Sequence, residues 1–170
     1  MAARRTDSGR AAAAEGRADV FRRAVEQAPE IAYEPSLQAV PRREGRDRIE
    51  AKPEVLLGSA NIDAGCRRRF PNAARWDFVI GVAGERVCRA VFVEVHGADA
   101  SGVSEVAKKL EWLKKTYLVL KGAERLASLP REFHWVASGR VRIPKNAPQI
   151  RRLAILRRDG LQGPTERLVI

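Results

Sequence analysis

Two apolar runs, Arg75–Val82 and Arg89–His96, flank Gly84-Glu85-Arg86 and read as neighbouring strands of one sheet, since both are rich in Val, Ile and Phe. Period two puts Trp76, Phe78 and Ile80 on one face of the first strand and Asp77, Val79 and Gly81 on the other. In the second strand it sets Val91, Val93 and Val95 opposite Phe92, Glu94 and His96. Each strand therefore sends one carboxylate to a single face, which a strand built only for a core does not need.

The helical period governs two longer stretches. From Asp19, a candidate N-cap, Val20, Phe21, Ala24, Val25 and Ala28 recur at helical spacing until Pro29. After a break at Gly97–Gly102, where Asp99 or Ser101 can cap, Val103, Val106, Ala107, Leu110, Leu113, Tyr117 and Leu120 form one stripe. Glu105 with Lys109 and Glu111 with Lys115 are i,i+4 pairs of favourable polarity, and Lys109 borders the apolar stripe while Lys108 points outward. Trp112 falls off the stripe, free to stack on a base or to cover another surface.

The remaining segments are shorter. Residues 34–53 carry Pro35, Pro41, Gly45 and Pro53 in a dense run of charges and predict a surface loop. Val55–Leu57 and Cys66–Phe70 predict a leading hairpin turning through Gly58–Gly65. Glu132–Ala137 predicts a buried strand, Gln149–Arg158 a short basic helix, and Leu168–Ile170 a closing edge strand. At 170 residues the chain suits one domain. We expect a flexible basic arm over 1–17, helical through Ala11–Ala14, and a single α/β domain over 18–170.

Charge adds a partner to this picture. Lys and Arg number 32 against 21 acids, a net charge of +11, and residues 131–170 hold nine bases against three acids. Such a surface attracts polyanions, which makes nucleic acid the expected partner. Arg67, Arg68 and Arg69, with Arg151, Arg152, Arg157 and Arg158, are the candidate phosphate contacts, although a solvated charged face accounts for them equally. Cys66 and Cys88 form no CxxC pair, and the apolar runs fall short of a membrane span, so a cytoplasmic, non-membrane protein is expected. HExxH and Gly-rich phosphate-loop motifs are both missing, which argues against a zinc hydrolase and a nucleoside-triphosphate enzyme.

Two carboxylates on adjacent strands repel each other and lose hydration, a cost that a cation removes. Mg2+ or Mn2+ takes such oxygen ligands and can activate water beside a phosphate. These residues and the order of elements from Asp19 to Ala137 resemble the PD-(D/E)XK nuclease superfamily. That resemblance implies a mixed central sheet flanked by helices with a restriction-endonuclease-like core, and metal-dependent hydrolysis of DNA or RNA. It also implies Asp77 as the strand aspartate and Glu94 as the acid of the ExK element, with Glu26 or Glu30 of the first helix, Glu26 preferred, completing the metal ligands. Glu94-Val95-His96 departs from the family pattern by placing His where lysine is expected. Lys109 of the following helix is a replacement amine, and His96 is an alternative base.

Two other readings compete with a nuclease. One is a catalytically inactive, nuclease-like module that only binds nucleic acid. The other is a small interaction or regulatory protein whose acidic pair is structural.

Overall fold

The computed structural model describes residues 16–144 and 148–170. The amino-terminal arm and its expected helix through Ala11–Ala14 lie outside the described residues, apart from 16 and 17, which open the first helix, α1 (16–27). Further helices are α2 (Ile62–Cys66), α3 (Ala100–Trp112), α4 (Glu124–Ser128) and α5 (Gln149–Arg158). A five-stranded mixed sheet runs in the order β2 (Leu56–Asn61), β3 (Phe78–Ala83), β4 (Cys88–His96), β5 (Arg131–Ala137) and β6 (Leu161–Thr165). Pairings β2–β3 and β3–β4 are antiparallel, while β4–β5 and β5–β6 are parallel. The parallel pairs require crossovers, and α3 and α5 lie in them. A separate parallel pair joins β1 (Ile49–Glu50) to β7 (Leu168–Val169).

The sheet separates two cores. On one face Val79, Ala90, Phe92, Phe133 and Trp135 pack with Phe21 and Val25 of α1, Val103, Val106 and Leu110 of α3, and Leu153 and Leu156 of α5. On the other face Phe78, Ile80, Val82, Val91 and Val93 meet Val40, Ile49 and Leu168. Gly81 lies under the Phe21 ring, and any β-carbon there would collide with it. The architecture is thus α/β with a mixed sheet and flanking helices.

Several expectations need correction. Asp19 lies inside α1 rather than capping it, and Val20 is exposed, so the buried face begins at Phe21. The leading hairpin is not Val55–Leu57 with Cys66–Phe70. Asn61 accepts a bond from the Ala64 N–H at 2.7 Å and starts α2, so the strand partner of β2 is β3. Trp76 precedes the pleated strand and packs in the helix-side core, opposite Phe78 and Ile80. Residues 34–53 are loop with two 3-10 turns, Arg42–Glu44 and Arg46–Arg48, but they also contain β1, and Pro53 opens a third turn, Pro53–Val55. The sequence reading omitted β6, and Leu168–Val169 closes on β1 rather than on the main sheet. Past Trp112, α3 continues as a π-helical turn, Leu113–Tyr117.

Candidate active site

The antiparallel register of β3 and β4 pairs Phe78 with Val93, which sets Asp77 beside Glu94 at the end of the sheet. Two backbone-to-carboxylate bonds lock the pair. The Asp77 N–H donates to Glu94 Oε2 at 3.2 Å, and the Val95 N–H donates to Asp77 Oδ2 at 2.9 Å. The start of α2 holds Asp77 from behind, for the Ile62 and Asp63 N–H groups donate to its carbonyl at 2.8 and 3.3 Å. Such reciprocal bonding fixes both carboxylates before any ligand arrives.

Each acid keeps one other oxygen, and both of these meet Lys109. Its Nζ lies 3.0 Å from Asp77 Oδ1 and in close contact with Glu94 Oε1. The lysine arrives from α3, whose first turn is capped by the Asp99 carboxylate on the Gly102 N–H at 2.9 Å. The expected Glu105–Lys109 pair does not form: Glu105 takes Lys108 at 2.9 Å, leaving Lys109 free to turn inward. The strand arginines Arg75 and Arg89 are held elsewhere, by Asp63 and Glu132.

Burial sets the electrostatics. Glu94 is 0% exposed, whereas Asp77 and Lys109 keep side-chain exposures of 16% and 19%. Burial first, and the charge of Asp77 second, raise the Glu94 carboxyl well above the ordinary range, against the pull of Lys109. Burial works against the Lys109 ammonium too, but attraction to Glu94 and then Asp77, with its hydrogen bonds to both, leaves it above an ordinary lysine. His96 Nδ1 lies 3.8 Å from Glu94 Oε1, beyond hydrogen-bond reach. Burial and then the neighbouring Lys109 charge lower its pKa, which keeps the ring neutral at pH 7 and able to accept a proton.

A divalent cation fits this donor set. The two oxygens now on Lys109, Asp77 Oδ1 and Glu94 Oε1, are hard donors that converge on one positive group. No three His, Cys, Asp or Glu residues form a metal-holding group among the described residues. Glu26, the expected third acid, is exposed on α1 and pairs with Arg22 at 3.7 Å, while Glu30 faces Arg68 and Arg69.

Comparison with protein-family models, curated proteins and solved structures returned no match to this chain.

The remaining candidates divide. Of the three consecutive arginines only Arg67 lines the cleft of about 390 Å³ that opens on Asp77. Arg151, Arg152, Arg157 and Arg158 belong to α5; Arg152 reaches Ser104 Oγ and Arg157 bonds the Gly163 carbonyl. Trp112 is buried between Phe70 and Tyr117, so it offers no surface to a base. His134 bonds Glu132 at 3.0 Å within the sheet. Sequence reading missed Arg43 and Arg48, which line the same cleft from the 42–48 turns. Their signal was present as a glycine, Gly45, set inside a run of arginines.

No helix among the described residues is long and apolar enough to cross a membrane.

Proposed function

We propose that the protein is a metal-dependent nuclease with a PD-(D/E)XK-like core, hydrolysing phosphodiester bonds of DNA or RNA. The supporting observation is the joint hold of Asp77 and Glu94 on the Lys109 ammonium, with Asp77 also lining an arginine-bearing cleft. The succession of α1, an antiparallel β2–β3–β4 meander, α3 and parallel β5 is compatible with that core.

In this reading Asp77 and Glu94 would hold Mg2+ or Mn2+, and the ion would supply water activation and charge stabilisation at the phosphate. The chain's own residues then have separate tasks. The backbone bonds from Asp77 and Val95 orient the two carboxylates, and the bonds from α2 keep Asp77 in place. Lys109, on the helix that crosses over the sheet, supplies the amine that His96 displaces from the usual strand position. His96, neutral and one-third exposed, lies 3.8 Å from Glu94 and can take a proton from water.

The test is cleavage of plasmid, single-stranded DNA and RNA with Mg2+ or Mn2+, comparing the wild type with Asp77→Ala and Glu94→Ala. Metal-dependent cleavage lost in both variants is expected; cleavage indifferent to both would remove the assignment. A binding module without turnover is the second reading, favoured by the histidine at position 96. Salt-sensitive binding without cleavage would select it.

A further inference from the structure

The cleft on Asp77 contains a built arginine track. Its 42–48 side is pressed against the catalytic strand at Gly45, where φ is +123° and a β-carbon would sit 2.8 Å from Val95 Cγ2, one residue from Glu94. Two arginines of this turn pair are committed to holding it. Arg46 bonds the Val40 and Gln38 carbonyls at 2.6 and 3.1 Å, and Arg48 bonds the Ser138 carbonyl at 2.8 Å. Arg43 is exposed, lines the cleft and has no such carbonyl bond among the described residues.

The second basic group comes from α2, whose start is bonded to the Asp77 carbonyl. Arg67 is 69% exposed and touches Asp63 at 3.0 Å. Asp63 has another partner, the largely buried Arg75, at 2.9 Å. Releasing Arg67 therefore leaves Asp63 neutralised, and an exposed pair of this kind holds its arginine weakly. Arg68 and Arg69 turn away toward Glu30, and Arg69 also lies over the Phe70 ring at 5.3 Å.

The lining offers little to a base. Phe78 is its one aromatic residue and is buried, so no stacking platform faces the cleft. The Asn61 amide is occupied by the Ala64 N–H and the Ala39 carbonyl. Beside the exposed Ser138 and the carboxylates of Asp63 and Asp77, what the cleft offers a ligand are guanidinium groups, which match phosphate oxygens in geometry and charge.

Resting on the nuclease reading, we propose that this cleft holds the sugar–phosphate backbone of the strand being cut, with Arg43 and Arg67 gripping its phosphates and no contact selecting a base. The α5 arginines, prominent in the sequence, lie outside this track.

The test is binding of labelled mixed-sequence, oligo-dT and oligo-dA strands, single and duplexed, across a salt series. Ca2+ replaces Mg2+ to suppress cleavage. Arg43→Gln and Arg67→Gln are each expected to weaken binding uniformly across sequences. Each also flattens the slope of log K against log salt by about one contact, ~0.9 on duplex or ~0.7 on single strands. Both side chains are exposed, and an unchanged melting temperature verifies folding. Wild-type affinity in both variants, loss confined to one base sequence, or loss instead in Arg151→Gln/Arg158→Gln would overturn the track while leaving the nuclease reading intact. A wild type that binds no nucleic acid would remove both.

Discussion

Replacing Lys109 with Met keeps most of the aliphatic stem that packs beside the acids and removes only the ammonium. Glu94, 0% exposed, is then left against Asp77 with no cation. Breaking a buried pair on one side costs ~3–5 kcal/mol when the remaining charge stays. Glu94 has a way out, because it can bind a proton. At pH 7 that costs about 1.4 kcal/mol for each of the ~2.5 units above an ordinary pKa of 4.5, or ~3.4 kcal/mol. Protonation therefore caps the deficit near 3–4 kcal/mol, about 10 °C in melting temperature for a chain of this size.

The pH dependence follows from the sign of the shift. Glu94 has a raised pKa when folded, so between 4.5 and that raised value the native state binds more protons than the unfolded chain, and stability grows as pH falls. Without Lys109 the native pKa rises further and this gain becomes larger, so the gap between variant and wild type closes toward roughly 1 kcal/mol at pH 5. On the alkaline side, the Lys109 contribution is complete below an unfolded lysine's ~10.4 and is lost as pH rises through the higher folded value. Urea unfolding from pH 5 to pH 8, with and without Mn2+, measures the Glu94 part of this dependence, and extending the series above pH 10 reads the Lys109 part. Mn2+ is expected to stabilise Lys109→Met more than the wild type, since no ammonium competes for the same oxygens; saturation at 100 times Kd contributes ~2.7 kcal/mol. A deficit below about 1 kcal/mol at pH 7, or one independent of pH, would refute the electrostatic account.

Three further outcomes are expected. Glu94→Gln removes a charge that burial opposes, so its unfolding free energy stays within ~1.5 kcal/mol of wild type while metal-dependent cleavage is lost, by denaturant melts beside the nicking assay. Gly45→Ala forces a β-carbon onto Val95 at a left-handed φ and is expected to cost ~1–3 kcal/mol, read as a lower melting temperature. Trp112→Phe leaves nucleic-acid affinity unchanged, because the indole is buried between Phe70 and Tyr117; a marked loss in the binding titration would return it to the surface role that its position off the helical stripe suggests.

Much of the fold was legible because its elements repeat a simple period. The strand containing Val91, Val93 and Glu94, the stripe from Val103 to Tyr117, and the basic helix Gln149–Arg158 appear where their apolar spacing puts them. Elements shorter than one or two periods were not legible. The segment Ile62–Cys66 carries no measurable stripe, and its decisive signal is a single capping residue, Asn61. Likewise β6, with Gly163 and Pro164 inside it, reads as a breaker and becomes a strand only because β5 provides an edge to pair with.

By itself the sequence determined which side of its own strand each acid, Asp77 and Glu94, takes, since a period of two leaves a side chain only two directions; the register of β3 on β4 brought the two together. It also determined that an amphipathic helix carrying Lys108 and Lys109 follows them. Helical spacing already sets Lys109 beside the apolar stripe; its partners were a tertiary decision, made by the packing of α3 over the sheet and by Glu105 engaging Lys108 in place of Lys109. The same holds for the arginines. Composition assigns all of them equal weight, whereas the fold places Arg43 and Arg67 at the cleft and directs Arg68, Arg69 and Arg157 elsewhere. Periodicity fixes the face of a side chain, but long-range packing alone decides which charges meet.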